Sequence, residues 1–377
     1  MRKILVFLGL LSIAIYACNK QGQDDINSTS NNNDDKNTLS GSNLRREVVI
    51  LESGIYLETD GEDYFLQSDI ILSDYQLKAL REKGAFEAPT FEESDENMLP
   101  VPFASGMSKT TNPRETSPRS IGVHPSLNRT WAMVRYTLAP NLDQFTRSII
   151  RQAIIHWESN TNVRFYNATG QPTIDPQFGF AYPYVEFTQS NVNASNVGRI
   201  GGRQILQLEP EAGFRAVAHE IGHTIGLYHE HQRPDRNNFL IFNPQNILNL
   251  SPAQIRADFD IIPTNYIMSG ALDFNSIMIY GSYNAGSLAT GPVLTRRDGS
   301  IFGAPQQLSE LDRVWANNFY APYIARSDAY AELGPIVYKT DNSVMNANER
   351  LQFQAYLNTS RGLPPNPPNC CRIPNNH

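Results

Sequence analysis

The stretch from His219 to His229 constrains this chain more than any other. It reads His219-Glu220-Ile221-Gly222-His223-Thr224-Ile225-Gly226-Leu227-Tyr228-His229. His219 and His223 are four apart, so on a helix they share a face, one turn apart. Two imidazoles at that spacing suit one zinc ion. Glu220 lies beside the first imidazole, close to the metal but poorly placed to ligate it. That is where a general base for a metal-bound water belongs. Gly226 can take a left-handed backbone, end the helix and turn the chain sharply. The turn lets His229 return as a third ligand. Three protein ligands leave one position open for water, the pattern of catalytic rather than structural zinc. The bland alternative is three unrelated histidines near a helix end. Four of the chain's seven histidines fall between 219 and 231, which speaks against it.

The N-terminus is not part of the fold. Arg2 and Lys3 precede an apolar run, residues 4–16, too short for a comfortable membrane span. The run ends in Ile15-Tyr16-Ala17-Cys18, which resembles a bacterial lipoprotein signal. On that reading residues 1–18 are the signal and Cys18 carries lipid. The protein is then exported and anchored to a membrane or cell surface, or released after processing. An ordinary secretory signal cut near Ala17 is the alternative. Residues 19–45 are rich in Asn, Asp, Ser and Gln and read as a disordered tether. The other two cysteines, Cys370 and Cys371, are adjacent and make a poor staple. They either pair with another chain or stay inert. A net charge of -7 without a basic stripe argues against a nucleic-acid partner.

Periodicity places the elements. Residues 48–51 and 64–72 read as strands and 73–81 as a capped helix. Residues 88–126 are rich in Pro, Ser, Thr and Glu and read as a linker open to proteolysis. Residues 131–138, 163–166, 184–188 and 204–208 read as strands. Phe145, Ile149, Ile150, Ala153, Ile154 and Trp157 form one stripe of a helix over 143–160. The zinc helix starts near Ala212 or Gly213, and a final helix over 308–320 opens at Ser309. Residues 342–357 suit a helix, and 362–377 read as irregular.

Beyond the third histidine the chain continues Glu230-His231-Gln232-Arg233-Pro234-Asp235-Arg236. The whole stretch resembles the astacin family signature, H-E-x-x-H-x-x-G-x-x-H-E-x-x-R-x-D-R, with every fixed position present. Further on, Ser276-Ile277-Met278-Ile279-Tyr280 resembles the family's methionine turn, usually S-x-M-H-Y. The resemblance spans roughly residues 131–320. It implies an α+β metzincin fold, with a twisted mixed sheet and zinc helix over an irregular lower part. Zinc lies in the cleft between them. It also implies a zinc endopeptidase made as a zymogen and cut by an activating protease. The corresponding division is a propeptide and linker over 46–125, a catalytic domain over 126–323, and an extension of unknown role over 324–377.

By resemblance, His219, His223 and His229 bind zinc, and Glu220 is the base that then carries the proton to the leaving amine. Met278 is the apolar floor of the site. Tyr280 ligates zinc at rest and hydrogen-bonds the tetrahedral intermediate during turnover. Glu230 anchors the mature N-terminus. Gln204, Ile205 and Leu206 belong to an edge strand that pairs with an extended protein substrate. Phe65-Leu66-Gln67-Ser68-Asp69-Ile70-Ile71-Leu72 resembles the family's propeptide segment F-x-G-D-I, with Ser68 for glycine and one extra residue. Asp69 would then occupy the open zinc position; a solvent-facing aspartate on a strand is the alternative. Arg296, or Arg297, matches an arginine that faces substrate and favours acidic side chains. Ile279 and Asn237 depart from the family pattern, and no cysteine lies between 19 and 369 to form its disulfides. A non-catalytic binding module on the same fold is the rival reading, but it has no need of Glu220. A narrow processing or aminopeptidase-like hydrolase is a third.

Overall fold

The computed structural model describes residues 46–86, 119–123, 130–262, 266–283, 288–375 and 377. The signal, the tether and Cys18 lie outside these residues. The chain opens with four short strands: β1 (Glu47–Ile50), β2 (Tyr56–Thr59), β3 (Tyr64–Leu66) and β4 (Ile70–Ile71). They form an antiparallel meander. The single strand expected across 64–72 is broken by Gln67 and Ser68, at φ 59° and 70°. Two successive left-handed residues reverse the chain, which periodicity alone does not reveal. The helix α1 (Asp74–Lys83) follows, opened by a Ser73–Gln76 capping box and closed by Gly84 in the left-handed region.

The strand β5 (Arg119–Val123) comes next, then β6 (Val134–Leu138), α2 (Gln144–Asn160), β7 (Phe165–Asn167), β8 (Tyr184–Gln189), β9 (Ala194–Asn196) and β10 (Arg203–Leu208). The zinc-motif helix is α3 (Phe214–Thr224). The lower half holds β11 (Leu240–Phe242), α4 (Pro252–Phe259), β12 (Tyr266–Ser269), β13 (Leu294–Arg296) and α5 (Glu310–Phe319), and α6 (Ala347–Thr359) ends the series.

Nine strands form one mixed sheet in the order β1-β2-β3-β4-β9-β10-β8-β6-β7. The N-terminal meander thus extends the sheet formed by β6 to β10, joined to it by the parallel pairing of β4 with β9. This corrects one expectation. Residues 204–208 are not an edge: β10 lies between β8 and β9. The Ile205 amide is taken by Asn196 Oδ1 at 2.9 Å, and the Gln204 side chain donates to the Gly198 carbonyl at 3.0 Å. Leu206 pairs with Ser195. The strand whose outer side meets the meander is β9.

A second correction concerns the linker. Residues 119–123 form a strand that pairs with β12. Val123 N donates to Gly226 O at 2.7 Å and Tyr228 N to Ile121 O at 2.9 Å. This segment belongs to the lower half, upstream of the boundary expected at 126.

The helix α2 packs on α3 through Trp157, which donates to the Ala218 carbonyl at 3.0 Å. Ile150, Ala153 and Ile154 are buried as expected, but Phe145 in the first turn is 53% exposed. Trp131, expected within a strand, instead caps the end of α3 by donating to Thr224 O at 3.1 Å. The C-terminal extension has its own small core of Leu333, Val337, Met345, Phe353 and Leu357. Asn162 and Tyr338 exchange two hydrogen bonds, at 2.8 and 2.7 Å, and fasten it to the end of α2. Cys370 and Cys371 are exposed. Among the described residues no helix is long and apolar enough to cross a membrane.

Candidate metal centre

Two glycines let the motif close. At Gly222 a Cβ would lie 2.4 Å from Met278 Sδ, so only glycine admits the methionine directly beneath α3. Gly226 has φ 110°, and a Cβ there would also meet Val123 at 2.7 Å. The turn presents the Leu227 carbonyl to His223 and returns His229 to the helix.

Each imidazole is oriented from behind. Nδ1 of His219 lies 2.9 Å from Ile277 O, Nδ1 of His223 2.8 Å from Leu227 O, and Nδ1 of His229 2.6 Å from Gln232 Oε1. These acceptors place a proton on every Nδ1 and leave every Nε2 as a bare lone pair. The three Nε2 atoms converge. Those of His219 and His223 lie 3.2 and 3.3 Å from that of His229. Asp69 completes the group, with carboxylate oxygens 3.1 Å from His229 Nε2 and 3.6 Å from those of His219 and His223. Four lone-pair donors facing one point repel one another unless a cation lies between them. For zinc–nitrogen distances of about 2.05 Å, tetrahedral geometry puts ligand atoms about 3.3 Å apart. The observed spacings match, so the residues present fit zinc.

Burial agrees. All four side chains are buried, and burial pushes the His219 imidazole down to about 3 and lowers that of His229. Neutral imidazoles are the metal-binding form. Glu220 is buried beside them with Oε2 unpartnered within the protein. Burial, then the charge of Asp69, raises its carboxyl well above the usual range. The Tyr280 hydroxyl donates to Asp69 Oδ2 at 3.0 Å. Its ring stacks on His231 with centroids 4.1 Å apart. The structure therefore brings Asp69, His219, Glu220, His223, His229, Met278 and Tyr280 together, with the tyrosine hydroxyl on the aspartate.

Glu230 is fully buried next to the third histidine. It accepts from Ile121 N at 3.3 Å, Arg233 Nη1 at 3.0 Å and Asp273 N at 2.9 Å. Burial pushes its carboxyl up to about 7. Arg296 has a different setting from the one expected. Its guanidinium lies over the rings of Phe274 and Phe302, at 3.9 and 5.6 Å, and makes no contact with the histidines among the described residues.

Three supporting residues escape the sequence reading. Gln232 holds His229 and donates to the Asp258 carbonyl at 2.6 Å. Arg215, one turn before His219, donates to Ile279 O at 3.0 Å and Pro305 O at 3.0 Å, clamping the methionine turn to α3. Asp312 accepts from Ser120 and Ser276 hydroxyls and from Ile277 and Ser309 amides. The Ser309–Asp312 capping pattern is visible in the sequence, but not its second use as an anchor for the turn.

Burial pushes the Asp312 carboxyl from 3.8 up to about 6. A carboxyl raised by folding favours the native state below its unfolded pKa, and that advantage is lost as pH rises through the folded value. This one group should remove about 3 kcal/mol of stability between about pH 4 and pH 7. Denaturant melts across that window check it. Asp312→Asn should remove this part of the slope, yet lower stability throughout, since an amide cannot accept all four bonds.

The sequence model of the astacin family of peptidases matches residues 123–321, more than half of the 377 residues. Flavastacin of Elizabethkingia meningoseptica is 28% identical over 336 residues, covering 85% of this chain and 65% of that protein. The zinc metalloproteinase nas-14 of Caenorhabditis elegans is 28% identical over 280 residues, covering 73% of this chain and 48% of that protein. The matched part thus spans under two thirds of either relative. Among solved structures, the hatching-enzyme zinc protease HCE-1 of Oryzias latipes aligns with a TM-score of 0.41 at 22% identity. That alignment covers 49% of this chain and 87% of that one. With the histidine cluster built as described and the family model covering both it and the methionine turn, the chain belongs to the astacin family of zinc metallopeptidases.

Proposed function

We propose that this chain is a zinc endopeptidase held latent by its own N-terminal meander. The observation that carries the reading is the convergence of three bare Nε2 atoms with the Asp69 carboxylate beside them. Zinc, when bound, polarises the scissile carbonyl and lowers the pKa of a coordinated water. Glu220, buried with a free Oε2, would be the base that takes a proton from the attacking water and returns it to the leaving amine. The Tyr280 hydroxyl, now spent on Asp69, becomes a donor to the developing oxyanion once the aspartate leaves. Departure of β4 uncovers β9, whose edge then pairs with an extended substrate. That assigns to Ala194–Asn196 the role first expected of Gln204, Ile205 and Leu206.

Export on a lipidated Cys18 and cleavage by an activating protease in the linker expected over residues 88–126 belong to the same reading. Casein cleavage before and after limited trypsin treatment tests it, beside a Glu220→Ala control. Activity that appears on nicking and is absent from the control supports it. Inert protein that still binds zinc favours the binding-module reading.

The Asp69 loop makes a separate prediction. Ser68 sits at φ 70°, a conformation that costs a side chain about 1–2 kcal/mol and glycine almost nothing. Ser68→Gly should raise the thermal midpoint of the latent form by a few degrees and slow its activation by trypsin. An unchanged or lower midpoint would show that the Ser68 hydroxyl, 3.4 Å from Tyr280, outweighs the relief.

A further inference from the structure

We infer that Asp258 is a specificity residue of the mature enzyme and recognises a cationic side chain, lysine or arginine, flanking the scissile bond. The inference rests on the peptidase reading above. Asp258 lies on α4 and is only 5% exposed, yet its Oδ1 has no hydrogen-bond partner in the protein. Its place is fixed relative to the metal site. The Asp258 carbonyl accepts from Gln232, and Gln232 holds His229, so the residue stands two hydrogen bonds from a zinc ligand.

The charges that act most on the Asp258 carboxyl belong to the meander. The helix α4 packs against β1 and β2. The ionisable groups that act on the Asp258 carboxyl are Glu58, Arg46 and Asp69, and burial together with the two carboxylates raises it. Arg46 is the cation that lowers it. Arg46 is itself buried, at 9% exposure, and bonds to Glu58 at 3.3 Å. It also donates to the carbonyl of Ser68, the residue next to Asp69. The guanidinium therefore lies one residue away from the carboxylate that fills the open zinc position.

Loss of the meander removes Arg46, Glu58 and Asp69 together. Asp258 stays behind, uncovered by the departure of β1 and β2, as a carboxylate facing the vacated place without the cation that accompanied it. A substrate carbonyl that replaces the Asp69 carboxylate puts a neighbouring side chain near the place vacated by Arg46. A carboxylate without a partner rewards a cation there and disfavours an anion. Arg46 is in this sense a stand-in for the substrate's own side chain. The preference is opposite in sign to the one that an arginine such as Arg296 would impose.

The test uses the full chain activated by limited proteolysis. Cleavage sites in denatured casein are mapped, and kcat/KM is measured for synthetic peptides that differ only by lysine, norleucine or glutamate at each position flanking the cut. Wild type should favour lysine over norleucine by about 10-fold or more at one position. Asp258→Asn should shrink that ratio to near one, and Asp258→Lys should turn the preference toward glutamate. Zinc content and melting midpoint check that the variants are folded. A wild-type profile with no basic preference overturns the inference without any variant, and so does a preference that survives Asp258→Asn. Either result leaves the peptidase reading standing. A wild type that cleaves nothing overturns both.

Discussion

Replacing Glu220 by alanine should lower kcat/KM of the activated enzyme by about 10²- to 10⁴-fold, the span usual for loss of a positioned general base. Zinc content should not change. The three imidazoles are held by Ile277 O, Leu227 O and Gln232, with no hydrogen bond to Glu220 among them. Stability should not fall either. Glu220 is a buried carboxyl with an unpartnered oxygen, and its removal relieves a desolvation penalty while leaving only a small cavity. The useful result is therefore a split one: a dead enzyme that keeps its metal and melts no earlier than wild type. A variant that retains a tenth or more of wild-type activity would take the base assignment away from Glu220.

Asp69→Ala is expected to have the opposite sign. It removes the carboxylate from the open position and frees the Tyr280 hydroxyl. Breaking a buried charge contact of this kind is worth about 2–4 kcal/mol, or about 30- to 1,000-fold in the population of competent sites. Without any nicking, the variant should cleave short peptides by about that factor above latent wild type. It should gain much less on casein, because β4 still covers β9. Pairing Asp69→Ala with Glu220→Ala keeps the chain intact for comparison. If the single variant is as silent as wild type toward short peptides, coverage of β9 alone accounts for latency and Asp69 is incidental.

The metal site is largely legible in the sequence because its spacing is local. Residues 219–229 encode a helix, a left-handed turn and three converging imidazoles within a few turns of chain. The capped helices are legible for the same reason: Ser73, Asp143 and Ser309 each announce a first turn. What fails is non-local. Residues 204–208 have the alternation of any half-buried strand, and nothing in them says that β9 will lie alongside. The break at Gln67 and Ser68 is carried by two residues with no strong turn preference, held there by Arg46 and by Ser195, whose amide bonds to Asp69 O at 2.8 Å. Phe145 reads as part of the helix stripe because periodicity does not register where a helix leaves its neighbours. Arg215, Gln232 and Asp312 are polar side chains buried among backbone carbonyls and amides, and such partners leave no trace in composition.

The parallel joint between β4 and β9 has a consequence for handling the protein. While it is made, the sheet has no exposed strand at its centre. Once it is broken, β9 presents unsatisfied amides and carbonyls beside buried residues of the sheet, and a second molecule is as good a partner as a substrate. Activated enzyme should therefore lose solubility with concentration faster than its precursor, and a bound peptide should restore it. On the proposed reading, one strand pairing then governs both latency and solubility.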